Sequence, residues 1–226
     1  MNAASDLAAD LSHISTWIFD LDNTLYPPEC EFMALIDARM TAFVMRETGM
    51  EHDAARTLQR RYLDEHGTTL AGLVAHHGVD PHRFLDEVHD VSLDRLKPDP
   101  DLAQGLARLP GRRLVFTNGS AAHADRVLAR LGVHDQFEAV FHLEAAGFTP
   151  KPRPAAYRLL MLSHQVEPTV SAFFEDSERN LAPAAELGMI TVLVGPHAAE
   201  STADFVHHRT PRLAPFLRAA RLKETA

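Results

Sequence analysis

The chain has 226 residues, 46% of them apolar and 23% charged, and a formal net charge of −9 with its 14 histidines counted neutral. That length can bury a sizeable core, as one large domain or two small ones, and the composition is ordinary for a soluble globular protein. The acidic balance argues against a nucleic-acid polymer or a membrane as partner through bulk electrostatics. A small anionic ligand stays open, because a bound metal reverses the local field.

Met1 to Ser12 is rich in Ala and Asp. It has neither a basic n-region nor an apolar h-region, so it reads as a frayed tail or a short leading helix rather than a secretory signal. Thr16 to Asp20 reads as a short buried strand. Phe32, Ile36, Met40, Phe43 and Val44 then follow helical spacing up to Gly49. Ala54, Leu58 and Tyr62 mark a second helix ending near Gly67, and Thr69 to His77 a third. Asp80-Pro81 is an N-cap followed by proline at the first helical position, opening a fourth helix along Phe84, Val88 and Val91.

From Lys97-Pro-Asp-Pro100 the pattern turns to alternating strand and helix. Strands are predicted at Leu114 to Thr117, Ala139 to His142, Ala172 to Glu175 and Ile190 to Val194. Helices are predicted from Ser120 to Gly132, Pro154 to His164 and Ser177 to Leu187, with a closing helix within Pro211 to Lys223. Short apolar strands separated by helices indicate a parallel sheet covered on both faces. The predicted architecture is a doubly wound α/β core, residues 1–27 and 97–226, with a helical cap, 28–96, inserted after the first strand. No apolar run is long enough to span a bilayer. Cys30 is the only cysteine, which excludes an intrachain disulfide and fits a reducing cytoplasm.

Ligands of open parallel sheets bind beyond the carboxyl ends of the strands. Those ends carry Asp20-Leu-Asp22-Asn-Thr24, Thr117-Asn118-Gly119-Ser120, Lys151 in Lys-Pro-Arg-Pro, and Glu175-Asp176-Ser177 with Asn180 a turn later. In order along the chain, these segments resemble the four motifs of the haloacid dehalogenase (HAD) superfamily. A helical cap of the C1 type after the first motif is one arrangement of that superfamily. Asp20 to Pro27, the cap segment Tyr62 to Leu73 and Phe174 to Leu181 resemble its pyrimidine 5′-nucleotidase branch.

The resemblance implies a Mg²⁺-dependent phosphomonoester hydrolase. Asp20 and Asp176 would ligate Mg²⁺ with the backbone carbonyl of Asp22, and Glu175 would act directly or through water. Asp20 would attack phosphorus, and Asp22 would serve as acid and then as base. Thr117, the Asn118-Gly119 amides and Lys151 would hold phosphoryl oxygens, and Asn180 could fix the fourth-motif loop. The implied ligand is a small phosphorylated metabolite, most simply a pyrimidine nucleoside 5′-monophosphate. Phosphoglycolate, a sugar phosphate or a phosphomutase reaction are the near alternatives, and a non-catalytic phospho-ligand regulator is the distant one.

Ser120 and Ser177 read as helix N-caps. The pairs His76-His77 and His207-His208 show no metal-ligand spacing, since sequence neighbours do not face each other on a helix. In the cap, Tyr62, His66, Thr68 and Thr69 are candidates for substrate contact, with helix packing and capping as the alternative, and His77 could also face the substrate. The chain is expected to act as a monomer or homodimer in the cytoplasm.

Overall fold

The structure, a computed structural model, describes residues 9–223. The predicted leading segment therefore lies mostly outside the described residues. Six strands form one parallel sheet: β1 (Thr16–Phe19), β2 (Arg112–Phe116), β3 (Ala139–Phe141), β4 (Ser171–Glu175), β5 (Ile190–Val194) and β6 (His208–Thr210). Their spatial order is β3-β2-β1-β4-β5-β6. The chain builds outward from β1 on one side, then returns to build outward on the other. Strand order reverses at β1, where Phe19 lies in register with Val115 of β2 and Phe174 of β4.

Trp17 and Phe19 pack into one hydrophobic cluster and Ile18 into another, so β1 is buried on both faces. A strand with no solvent face needs apolar side chains at every position, which is why Trp17-Ile-Phe19 does not alternate. Phe19 stacks on Phe174 with ring centroids 4.7 Å apart. This packing fixes where the two strands end, and both end in carboxylates.

Between β1 and β2 the chain first forms four helices: α1 (Phe32–Thr48), α2 (His52–His66), α3 (Thr69–His77) and α4 (Pro81–His89). They share a hydrophobic cluster, including Phe43, Leu58, Tyr62, Leu73, Phe84 and Val88, to which the segment after β3 adds Leu143. We propose the division into core and cap on that basis. The Asp80 side chain accepts from the amides of His82 and Arg83, as its sequence signal predicts. Gly67 closes α2 with φ +87°, and a β-carbon there would lie 3.2 Å from the Lys151 carbonyl oxygen. Glycine thus serves both the left-handed helix end and the close approach of cap to core.

Five further helices flank the sheet: α5 (Pro100–Ala107), α6 (Ala121–Leu131), α7 (Pro154–His164), α8 (Glu178–Glu186) and α9 (Leu213–Ala219). Two elements differ from the sequence expectation. Helix α5 begins at Pro100, where no helix is predicted: Asp99 accepts from the amides of Asp101 and Leu102, repeating the Asp-Pro cap of α4. Strand β6 is polar and pairs only with β5, so an edge position replaces the apolar run by which strands are recognised. No helix among the described residues is long and apolar enough to cross a membrane.

Arginines tie the cap to the core at two places. Arg126 of α6 donates to the carbonyls of His89 and Val91 at 3.1 and 2.9 Å, and Arg179 of α8 donates to those of Leu63 and Gly67 at 3.0 and 3.1 Å. Inside the cap, Gly72 lets α3 close on α2, because a β-carbon there would overlap the Tyr62 ring. Gly72→Ala should therefore destabilise the protein by about 1–3 kcal/mol, the usual cost of overpacking, measured as a lower urea midpoint. An unchanged midpoint would show that Tyr62 moves aside freely.

Candidate active site

Three strand ends converge on Lys151, which is 1% exposed. Its ammonium donates to Asp20 Oδ1 at 2.7 Å after β1, to the Phe116 carbonyl at 2.8 Å at the end of β2, and to Glu175 Oε2 at 2.6 Å at the end of β4. All three donors are thereby used within the protein. Burial alone would lower the Lys151 pKa, but the Asp20 and Glu175 charges outweigh it and raise the value above the usual lysine range. Lys151 is positioned by Asn118, whose side chain donates to the Lys151 carbonyl at 3.1 Å and accepts its amide at 2.8 Å.

The other Asp20 oxygen accepts from Thr24 at 3.0 Å, so the third position of Asp-x-Asp-x-Thr has a use within the motif. Asp176 follows Glu175 into the same space. Asp20, Glu175 and Asp176 each offer an oxygen within 4.8 Å of the others. Burial raises all three, with mutual repulsion adding to it: Asp20 to about 7, Glu175 to about 7 and Asp176 to about 6. One lysine does not balance three carboxylates.

Asp22 points elsewhere. Its Oδ1 accepts from the Tyr26 hydroxyl at 2.5 Å and lies 2.9 Å from His123 Nε2. Burial favours a raised pKa, but the His123 charge and the bonds from His123 and Tyr26 outweigh it and hold Asp22 below the ordinary value. Two carboxylates separated by one residue thus sit in opposite electrostatic settings. The chain turns directly after Asp22, at Asn23 with φ +61°, and brings Tyr26 back to it.

Thr117 is buried, and its Oγ1 accepts the Gly119 amide at 2.8 Å. That amide, expected to face phosphate, is satisfied internally here. Ser120 caps α6 by accepting the His123 amide, as expected. Ser177 occupies the cap position of α8 without a side-chain bond, and its amide instead donates to Glu175 Oε1 at 3.2 Å. Asn180 accepts the Tyr157 hydroxyl at its main-chain carbonyl, while its side-chain Oδ1 is buried with no partner among the described residues.

A cavity of about 470 Å³ opens above these residues, between cap and core, and both Asp20 and Asp22 line it. Thr68 and Thr69 line it, and Thr68 also caps α3. Tyr62, His66 and His77 do not line it. Tyr62 bonds His77 at 2.9 Å and stacks on His76, and His76 bonds His66 at 3.1 Å. The face of α2 turned to the cavity carries Arg56, Gln59, Arg60 and Leu63 instead, spaced as one helical stripe. Sequence reasoning missed Arg56 and Arg60, Tyr26, and the buried His123. A histidine four residues past the Thr-Asn-Gly turn was the available signal for the last.

A model of the haloacid dehalogenase-like hydrolase family matches residues 14–188. The chain belongs to that family. It is 28% identical over 190 residues to Phosphate metabolism protein 8 of Saccharomyces cerevisiae, an overlap of 76% of this chain and 59% of the yeast protein's length. It is also 28% identical over 225 residues to an (S)-2-haloacid dehalogenase of Xanthobacter autotrophicus, covering 93% and 87% of the two chains. Among solved structures, a HAD phosphatase from Thermococcus onnurineus superposes with a TM-score of 0.62 at 17% identity, covering 92% of this chain and all of that one.

Hydrolases of this family generally use Mg²⁺. The residues present fit such an ion: an all-oxygen set with surplus negative charge suits a hard cation, and the same cavity is lined by Asn180, whose buried side-chain oxygen has no partner among the described residues. Asp20, Asp176 and the Asp22 carbonyl would hold it, with Glu175 beside them.

A buried carboxylate whose pKa is raised binds a proton more tightly folded than unfolded. Its stabilising contribution is complete below about 4 and is lost as pH rises through 6 to 7. Mg²⁺ should reverse that loss, so stabilisation by Mg²⁺ should be small at pH 5.5 and larger at pH 8. At a hundredfold excess over Kd it should reach about 2.7 kcal/mol. Thermal unfolding with Mg²⁺ or EDTA at both pH values measures it. Equal shifts at both would contradict a metal held by these three carboxylates.

Proposed function

We propose that the chain is a phosphomonoester hydrolase working through an aspartyl-phosphate on Asp20. The observation that carries this reading is the contrast between the two carboxylates lining one cavity. Asp20 stands among Lys151, Thr24 and the acidic cluster, while Asp22 stands apart with its own hydrogen-bond donors. Bound Mg²⁺ would offset repulsion between Asp20 and the phosphoryl group.

Asp20 attacks phosphorus, and the bond to the leaving oxygen breaks. Lys151 and Thr24 hold the two Asp20 oxygens, so its carboxylate arrives oriented. Asp22 is ionised at rest. An arriving phosphate raises the pKa of a neighbouring carboxylate, which lets Asp22 carry the proton that the leaving alkoxide needs. In the second half, water attacks the aspartyl-phosphate and gives its proton to Asp22, releasing inorganic phosphate and restoring Asp20. The Thr117 hydroxyl is the group from the second strand end available to a phosphoryl oxygen.

The cavity wall suggests the leaving group. Met33, Ile36, Met40, Phe84 and Val88 give it an apolar side, and Arg56 and Arg60 give it donors. A flat, largely apolar ring with carbonyl acceptors at its edge suits that lining better than glycolate or a free sugar. The substrate proposed is a pyrimidine nucleoside 5′-monophosphate, used in a reducing cytoplasm.

The similarity to a haloacid dehalogenase supplies a second reading. A halide leaves as a stable anion and needs no proton. That chemistry would leave Asp22 and its donors, and the paired acids of β4, without a task.

Turnover should be tested on uridine and cytidine monophosphates, sugar phosphates, phosphoglycolate and a 2-haloalkanoate, with Mg²⁺ or EDTA. Uridine and cytidine monophosphates should lead, with no activity in EDTA, and Asp20→Asn should lose at least about a thousandfold in kcat. Preference for the sugars would overturn the substrate class. Halide release would overturn the reaction.

A further inference from the structure

We propose that His123 is a positioning residue for Asp22, and that the two ends of the cap clamp it in place. The inference rests on the phosphatase reading above and assigns work to a residue outside the four motifs.

His123 is 2% exposed, in the first turn of α6. Its Nε2 lies 2.9 Å from Asp22 Oδ1 and 3.2 Å from Oδ2. Tyr26 donates to the same Oδ1 at 2.5 Å. Two donors on one oxygen fix the carboxyl plane and leave Oδ2 the less engaged oxygen to meet the leaving group.

Two aromatic rings from the cap lie parallel to the imidazole. Phe32 stacks on it at 6.0 Å with an interplanar angle of 2°, and His89 stacks on it at 4.1 Å with an angle of 15°. Phe32 is the first residue of α1 and His89 the last of α4, so the ring sits between the points where the chain enters and leaves the cap. His89 is fixed in turn: its Nδ1 lies 3.1 Å from Ser120 Oγ, and Arg126 holds its carbonyl.

The small residue at 119 belongs to the same arrangement. A β-carbon on Gly119 would stand 2.9 Å from His123 Cδ2 and 3.8 Å from Asp22 Oδ2, pushing the ring off its partner. The aromatic clamp therefore does more than fill space. Displacing either end of the cap loosens the imidazole, and with it the oxygen that handles the proton. Leaving-group protonation is thereby matched to the closed cap.

The test compares two phosphomonoesters in Mg²⁺. p-Nitrophenyl phosphate releases a stable anion that needs little protonation, whereas a nucleoside monophosphate releases an alkoxide that needs it fully. His123→Ala should lower kcat on the nucleotide by about 10–100-fold more than on the aryl ester, within the range of general-acid effects, with KM little changed. His123→Gln, which keeps a donor near the Nε2 position, should restore most of the loss. Tyr26→Phe removes the other donor from Oδ1 and should give a smaller loss with the same substrate bias, so the test stands even if the alanine variant does not fold. Equal losses on both esters, or a loss expressed in KM, would overturn the positioning role while leaving the phosphatase reading intact. A wild-type protein that hydrolyses neither ester would overturn both.

Discussion

The structure depends on one buried cation. Lys151 reaches from the loop after β3 to the ends of β1, β2 and β4, and each of its three hydrogens goes to one of them. Removing an ammonium from water is costly, and so is removing a carboxylate; neither is stable there without the other. The ion contacts decide where the strand ends sit and which charge Asp20 feels. They also leave the cluster short of positive charge, which is the condition under which a divalent cation binds.

From that constraint the division of labour follows. Asp20 stays within reach of Lys151 and Asp176. Asp22, two residues further on, meets Tyr26 and His123 instead, and the left-handed turn at Asn23 returns Tyr26 to it. A strand end that presents two like acids in the same field would have them titrate together; this one separates them. The cap contributes the cavity wall through α1, α2 and α4, and its two ends press on the ring that holds the second acid.

Much of this was legible in the sequence, for physical reasons. A strand buried on both faces must be uniformly apolar, so Trp17-Ile-Phe19 and Ala172-Phe-Phe-Glu175 announce both themselves and their polar ends. Asp20, Thr117 and Asp176 could be placed because they stand where apolar runs stop, and Lys151 because its Lys-Pro-Arg-Pro context resembles the third motif. Helix faces were harder. On α2, Tyr62 and Arg60 are two residues apart and nearly opposite, and spacing alone does not say which side the core will cover; Gly72, ten residues on, decides it by drawing α3 onto Tyr62. His123 was invisible for another reason. Its partner lies 101 residues away, and the two meet only because β2 pairs with β1. β6 escaped notice because an edge strand tolerates His208 and Arg209.

The account stands or falls on what becomes covalently attached to Asp20. Acid quench of wild-type protein during turnover of a nucleoside monophosphate in Mg²⁺, followed by peptide mass mapping, measures it directly. The account predicts a phosphoryl group on the peptide carrying Asp20, at that residue. Steady turnover with that peptide unmodified at every quench time, or with the phosphoryl group on another side chain, would contradict it.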